Sequence, residues 1–174
     1  SPSAPSRPAV ARVRRLGAPP ACASVAAGFF CLGAPSFEAA VPDKTVGTMP
    51  VDLYGHPADM TVLRAVADKH DLLIFEDAAQ AHGASLNGIP VGAFGTFGMF
   101  SLYPTKNMTS GDGGMVSVAD DETERLVRLY RHQGRRRQYQ NEDAGFTCLM
   151  TPRRTPTARY PLTNLPPGTH TPQC

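Results

Sequence analysis

The chain has 174 residues, 41% hydrophobic, 18% charged and 7% aromatic, with a formal net charge of +2. That length suits one domain with a sizeable core. So small a charge makes no electrostatic case for a nucleic-acid or membrane-surface partner, and no run of about 18 apolar residues marks a transmembrane helix. Residues 1–12 are rich in Pro, Ser, Ala and Arg and are expected to be disordered or a truncated edge. The first residue is Ser1, as in a fragment or a processed chain. Arg7, Arg12, Arg14 and Arg15 precede an apolar patch, but Pro19, Pro20 and Gly28 break it, which argues against an export signal. Residues 21–25 are expected to form a short strand and residues 36–40 a short helix capped by Ser36. The four cysteines, Cys22, Cys31, Cys148 and Cys174, make no CxxC pair and lack histidines at ligand spacing. Neither a metal site nor a disulfide framework is expected, and reduced thiols fit a cytoplasmic protein.

From Lys44 the pattern sharpens. Residues 45–51 favour a strand. Asp59 is placed to cap a helix in which Met60, Leu63, Val66 and Ala67 share one face, with its end at Asp71. Residues 72–75 form a continuous apolar run, as expected of a strand covered on both faces. Strand, helix and strand in about thirty residues make a βαβ unit. Asn87-Gly88 marks a turn within a loop at 83–95 that carries short extended pieces. Residues 97–102 and 114–118 read as two further strands. Asp120 or Asp121 caps a second helix, with Leu126, Val127, Leu129 and Tyr130 apolar and Gly134 as its stop. The basic run Arg135, Arg136 and Arg137 reads as a solvated helix end or loop. Past Thr151 six prolines interrupt any periodicity, so residues 152–174 are expected to be a disordered tail.

The chemistry concentrates in residues 100–114, F-S-L-Y-P-T-K-N-M-T-S-G-D-G-G. Lys106 sits between an apolar strand and a glycine-rich turn, which places an amine at the rim of a sheet. Alone it reads as a loop lysine. Asp77 lies twenty-nine positions earlier, at the carboxyl end of its own buried strand, where ligands of open α/β sheets bind. Ser101 flanks the same rim. Acid, hydroxyl and amine together are the parts that pyridoxal 5'-phosphate chemistry requires: a lysine for the aldehyde, a carboxylate for the ring nitrogen, and hydroxyls and N–H groups for the phosphate. The glycines after Lys106 also permit an anion-binding concavity of successive N–H groups. Taken singly, Asp77 reads as a cap of the turn at 78–79, Ser101 as a solvent-facing strand hydroxyl, and Gln80 and His82 as surface groups.

Four stretches, L-Y-G-H-P-A-D-M (53–60), E-D-A-A-Q-A-H-G (76–83), residues 100–114 and Q-Y-Q-N-E-D-A-G-F (138–146), appear in order. In them the chain resembles the DegT/StrS-type sugar aminotransferases, pyridoxal-phosphate enzymes of fold type I. A weaker match runs back through F-C-L (30–32) to L-G-A-P-P (16–20). The resemblance covers roughly residues 13–151. It implies an α/β fold, part of the type I large domain, with a mostly parallel sheet, flanking helices and no small domain. It also implies transfer of an amino group, usually from glutamate, to a keto-sugar nucleotide, in a homodimer whose site takes a residue from the second subunit.

By the same resemblance Lys106 is the Schiff-base lysine and proton carrier, and Asp77 the partner of the pyridine nitrogen. Gln80 lies against the cofactor ring near its hydroxyl. Ser101 is a phosphate ligand, and Asn107 and the following glycines shape the pocket wall. His82 belongs to the motif without an assigned role. Asp52 stands where the family usually carries histidine, and Ser24 and Ala26 replace acidic residues common before F-C-L. The family's N-terminal phosphate loop should precede residue 13, and its small domain should follow Thr151. A truncated or frameshifted reading frame would explain both, and the isolated chain is then expected to bind the cofactor weakly or not at all. Two other classes fit the residues: a non-catalytic remnant or interaction module of the same fold, and an anion-binding domain that needs no Schiff base.

Overall fold

A computed structural model describes residues 7–26, 30–137, 140–151 and 154–164. Helix α1 (Arg7–Arg15) precedes α2 (Ala34–Ala39), β1 (Gly47–Thr48), a 3-10 turn at Leu53–Gly55, α3 (Met60–Lys69) and β2 (Leu73–Asp77). A hairpin of β3 (Ser85–Leu86) and β4 (Ile89–Pro90) leads to β5 (Phe97–Ser101), β6 (Gly114–Val118) and α4 (Asp121–Arg131). Strands β7 (Arg135–Arg137) and β8 (Gln140–Asn141) and helix α5 (Arg154–Thr163) follow. The main sheet has the order β1-β2-β5-β6. Its first three strands are parallel and β6 is antiparallel to β5.

The local signals explain most of these elements. Asp59 accepts the Val62 N–H at 3.3 Å and starts α3, whose Met60, Leu63, Val66 and Ala67 are buried. That face packs with Phe37, Leu72, Ile74 and Phe94 into the larger core cluster. Asp120 caps α4, its carboxylate accepting the Thr123 N–H at 2.8 Å. Asn87 and Gly88 take φ values of 52° and 79°, the left-handed pair that a two-residue hairpin needs.

Several expectations are corrected. Residues 21–25 form no strand; Val25 only bridges Leu32. Helix α2 starts after Gly33 without a side-chain cap, and Ser36 lies inside it, where its hydroxyl accepts the Ser24 N–H at 2.6 Å. The strand at 72–75 is not covered on both faces, because Leu73 is 50% exposed. Leu73, Phe75 and Phe97 instead form the floor of an open apolar groove of about 560 Å³, walled by Leu126, Val127 and Tyr130 of α4. Of the two segments expected to be disordered, residues 1–6, 152–153 and 165–174 lie outside the described residues. Residues 7–12 belong to α1, and α5 spans much of the expected tail. Pro156 falls in the first turn of α5, where a missing N–H breaks no helical bond. Ala158 anchors the helix against Leu102 and Met108, and Arg154 pairs with Asp112 at 3.0 Å.

Candidate active site

Asp77 ends β2 and lies opposite Met99 of the parallel strand β5, so the carboxyl ends of the two strands share one rim. Ser101 ends β5. Lys106, half-buried, follows in a turn closed by its own N–H to the Tyr103 carbonyl at 2.9 Å. Gln80 stands on the loop leaving β2, and Asn107 is exposed beside Lys106. The acid, the hydroxyl and the amine are therefore brought to the same edge.

Each is held by its local chain. The Asp77 N–H donates to the Pro50 carbonyl at 2.9 Å, and its carbonyl accepts the Asp52 N–H at 3.0 Å. The Asp77 carboxylate accepts the Ala79 N–H at 3.3 Å, so it does cap the turn beyond the strand. Ser101 Oγ accepts the Tyr103 N–H at 3.4 Å. Gln80 Oε1 accepts the Tyr54 N–H at 2.9 Å. The expected N–H concavity after Lys106 is absent at two of its positions. Thr109 Oγ1 takes the Gly111 N–H at 2.9 Å, and Asp112 Oδ1 takes the Gly113 N–H at 2.8 Å. Side-chain oxygens of the turn itself have claimed those donors.

Three residues matter more than their sequence context suggested. Glu76 is fully buried. Its carboxylate accepts the N–H groups of Gly92 at 2.6 Å, Phe94 at 2.6 Å and Gly95 at 2.8 Å, clasping the loop after β4 to the sheet. The alternation of β2 was the available signal, since it puts Glu76 on the same face as Ile74. A side chain on Gly92 would meet the Phe100 ring at 2.6 Å and Ser117 Oγ at 2.8 Å, so this loop approaches the sheet as closely as backbone can.

Asp52 is 1% exposed. One oxygen accepts the Ala58 N–H at 2.8 Å and the other meets no partner among the described residues. Burial raises its pKa to about 7; the Ala58 N–H opposes this, and the charges of Glu76 and Asp77 add to it. His82 is buried with its ring tilted over Phe100 at 5.6 Å, and neither ring nitrogen has a hydrogen-bond partner among the described residues. Burial lowers its pKa, the Ser101 backbone carbonyl opposes the shift, and the charge of Lys106 lowers it further.

The family model for the DegT/DnrJ/EryC1/StrS aminotransferases matches residues 8–159. The chain belongs to that family. Among curated relatives of this chain, one from Acidithiobacillus ferrooxidans, UDP-N-acetyl-3-dehydro-alpha-D-glucosamine 3-aminotransferase, is 44% identical over 78% of this chain and 37% of its own length. The dTDP-3-amino-3,4,6-trideoxy-alpha-D-glucose transaminase of Streptomyces venezuelae is 43% identical over 74% of this chain and 34% of its own. Among solved structures, S. venezuelae DesV in complex with a ketimine intermediate superposes with a TM-score of 0.89 at 38% identity, covering 95% of this chain and 45% of that one. A 3-amino-5-hydroxybenzoic acid synthase superposes at 0.85 and 31% identity, over 90% and 42%. The α/β architecture is that of pyridoxal-phosphate aminotransferases, and the chain spans under half the length of these relatives.

Proposed function

We propose that this chain is part of a pyridoxal 5'-phosphate-dependent aminotransferase that moves an amino group from a donor, glutamate, to a keto-sugar nucleotide. The observation that carries the reading is the meeting of Asp77, Ser101 and Lys106 at one rim of adjacent parallel strands. The donor types fit the group: a carboxylate ends β2, an amide stands on the loop that leaves it, a hydroxyl ends β5 and an amine follows in the next turn, and a planar ring with a basic nitrogen and a phosphate calls for such groups. Bound there, the cofactor would supply an electron sink for the substrate's carbon. Asp77 holds a proton at the ring nitrogen. Ser101 Oγ would bind toward the phosphate, and Asn107 would shape the pocket wall. Gln80 would orient the ring, and Lys106 Nζ is the amine that would bond the aldehyde and, once released, carry the proton of the 1,3-shift between the substrate carbon and the aldehyde carbon. The relatives named for UDP-, dTDP- and GDP-linked sugars support the nucleotide-sugar substrate. A second copy of the chain completes the assembly in this reading, which sedimentation of the cofactor-loaded protein tests.

The isolated chain is expected to bind pyridoxal 5'-phosphate weakly, through one rim. A titration should produce lysine-bound visible absorbance only at high cofactor, and Lys106→Ala should abolish it. Absorbance that survives Lys106→Ala removes Lys106 from the role. A second reading is a non-catalytic module of the same fold, in which Lys106 carries no chemistry. Turnover of a keto-sugar nucleotide with glutamate, lost in Lys106→Ala, separates the two.

A further inference from the structure

Tyr54 holds φ 55° and ψ 26° in the turn Leu53–Gly55. For a bulky L-residue the left-handed region is unfavourable, because Cβ crowds the following carbonyl oxygen. Such strain persists where surrounding contacts over-determine it. The ring is not that contact, since Tyr54 is 84% exposed. The backbone is. Its N–H donates to Gln80 Oε1 at 2.9 Å, and the turn closes behind it with the His56 N–H on the Leu53 carbonyl at 3.0 Å. Two residues earlier, Asp52 is fixed through backbone and side chain, its N–H on the Asp77 carbonyl at 3.0 Å and its carboxyl oxygen accepting the Ala58 N–H at 2.8 Å. On the far side, the Gln80 carbonyl lies 3.5 Å from where a Cβ on Gly55 would stand. The turn thus runs beside the Gln80 backbone as well as bonding its side chain.

A side-chain amide has one acceptor end and one donor end. With Oε1 occupied by the Tyr54 N–H, Nε2 and its two hydrogens are what the Gln80 amide has left to offer a ligand. We propose that Tyr54 is a positioning residue. Its left-handed backbone, not its ring, fixes the Gln80 amide so that only N–H donors face a ligand's oxygen acceptor. On the cofactor reading above, that acceptor is the ring oxygen of pyridoxal 5'-phosphate, and this half of the inference rests on that reading.

The test is a series in which backbone preference and aromaticity point opposite ways. Tyr54→Asn and Tyr54→Gly tolerate the left-handed region and lack the ring; Tyr54→Phe keeps the ring; Tyr54→Ile resists the region. Cofactor affinity, read from the Lys106-dependent absorbance, should be retained in the Asn, Gly and Phe variants. It should fall roughly tenfold in Tyr54→Ile. Gln80→Ala should lose as much, and adding Tyr54→Ile to it should lose nothing further. Amide hydrogen exchange at residue 54 reads the pin without any cofactor: Gln80→Ala should speed it roughly tenfold. Gln80→Glu should keep that exchange slow, because a carboxylate oxygen still accepts the N–H, yet it should lose cofactor affinity, because its outward atom is now an acceptor. Loss of affinity in the Asn and Gly variants with retention in Phe would overturn the proposal, as would unchanged exchange at Tyr54 in Gln80→Ala. Wild-type chain with no Lys106-dependent absorbance would sink the cofactor reading and the ligand half with it, while the exchange measurement would still decide the pin.

Discussion

Asp52 shows how one buried carboxyl sets a pH dependence. Folded, it holds its proton up to about pH 7; its ordinary value is 3.8. The native state therefore binds more protons than the unfolded chain across that interval. The contribution is fully present below pH 3.8 and is lost as pH rises through about 7. The difference corresponds to about 4 kcal/mol at 1.36 kcal/mol per pH unit. Asp52→Asn should flatten that slope, and the variant should match or exceed the native chain at pH 8 while differing little at pH 4; urea denaturation at the two pH values measures it. His82 supplies a second residue-scale prediction. The charge of Lys106 holds its pKa down, after burial. Lys106→Met should therefore raise it, which an NMR titration of the imidazole would show. An unchanged value would place the two groups in separate environments. Neither behaviour was legible in the sequence, where Asp52 read only as a departure from the family pattern and His82 as a motif member without a role. Burial and missing partners are properties of packing, and adjacent residues do not report them.

At the scale of elements, the rim depends on Glu76. Its two oxygens satisfy three backbone N–H groups of the loop that precedes β5. Hydrogen bonds to a charged group contribute about 1.5–3 kcal/mol each, and buried donors left unmet cost comparably. Glu76→Ala should cost about 4 kcal/mol or more in chemical denaturation, a large part of a domain's usual 5–15 kcal/mol. A loss below about 1 kcal/mol would mean the loop is held by other contacts. Asp120→Ala should cost only about 1 kcal/mol, because that cap is exposed and serves a single helix end. The caps and the Asn87-Gly88 hairpin were legible because each signal and its structure lie within four residues. Helix α5 was not legible. Its prolines spoke for a tail, and the contacts that hold it, Ala158 on Leu102 and Met108 and Arg154 on Asp112, come from residues more than forty positions away in sequence.

For the whole molecule, the proposed site is an edge formed by separate segments: the turn at 53–55, the end of β2, and the end of β5 with its following turn. A ligand bridging them should stabilise the fold by mass action. Saturating pyridoxal 5'-phosphate at one hundred times its dissociation constant contributes about 2.7 kcal/mol. The melting temperature of the native chain should therefore rise with cofactor concentration, and that of Lys106→Ala should rise much less. Equal shifts in the two would assign the binding to a site without Lys106. The sequence by itself determined the βαβ order, the helix caps, the hairpin, the family resemblance and the identity of Lys106, Asp77, Ser101 and Gln80 as candidates. Those follow from local chemistry and from motifs read along the chain. Only the tertiary structure decided that β2 and β5 are parallel neighbours, so that their ends meet. It also decided that the turn after Lys106 spends two of its N–H groups on its own side chains, and that a left-handed tyrosine donates its N–H to the Gln80 amide oxygen. These depend on strand register and on contacts between residues distant in sequence, and neither periodicity nor propensity encodes them.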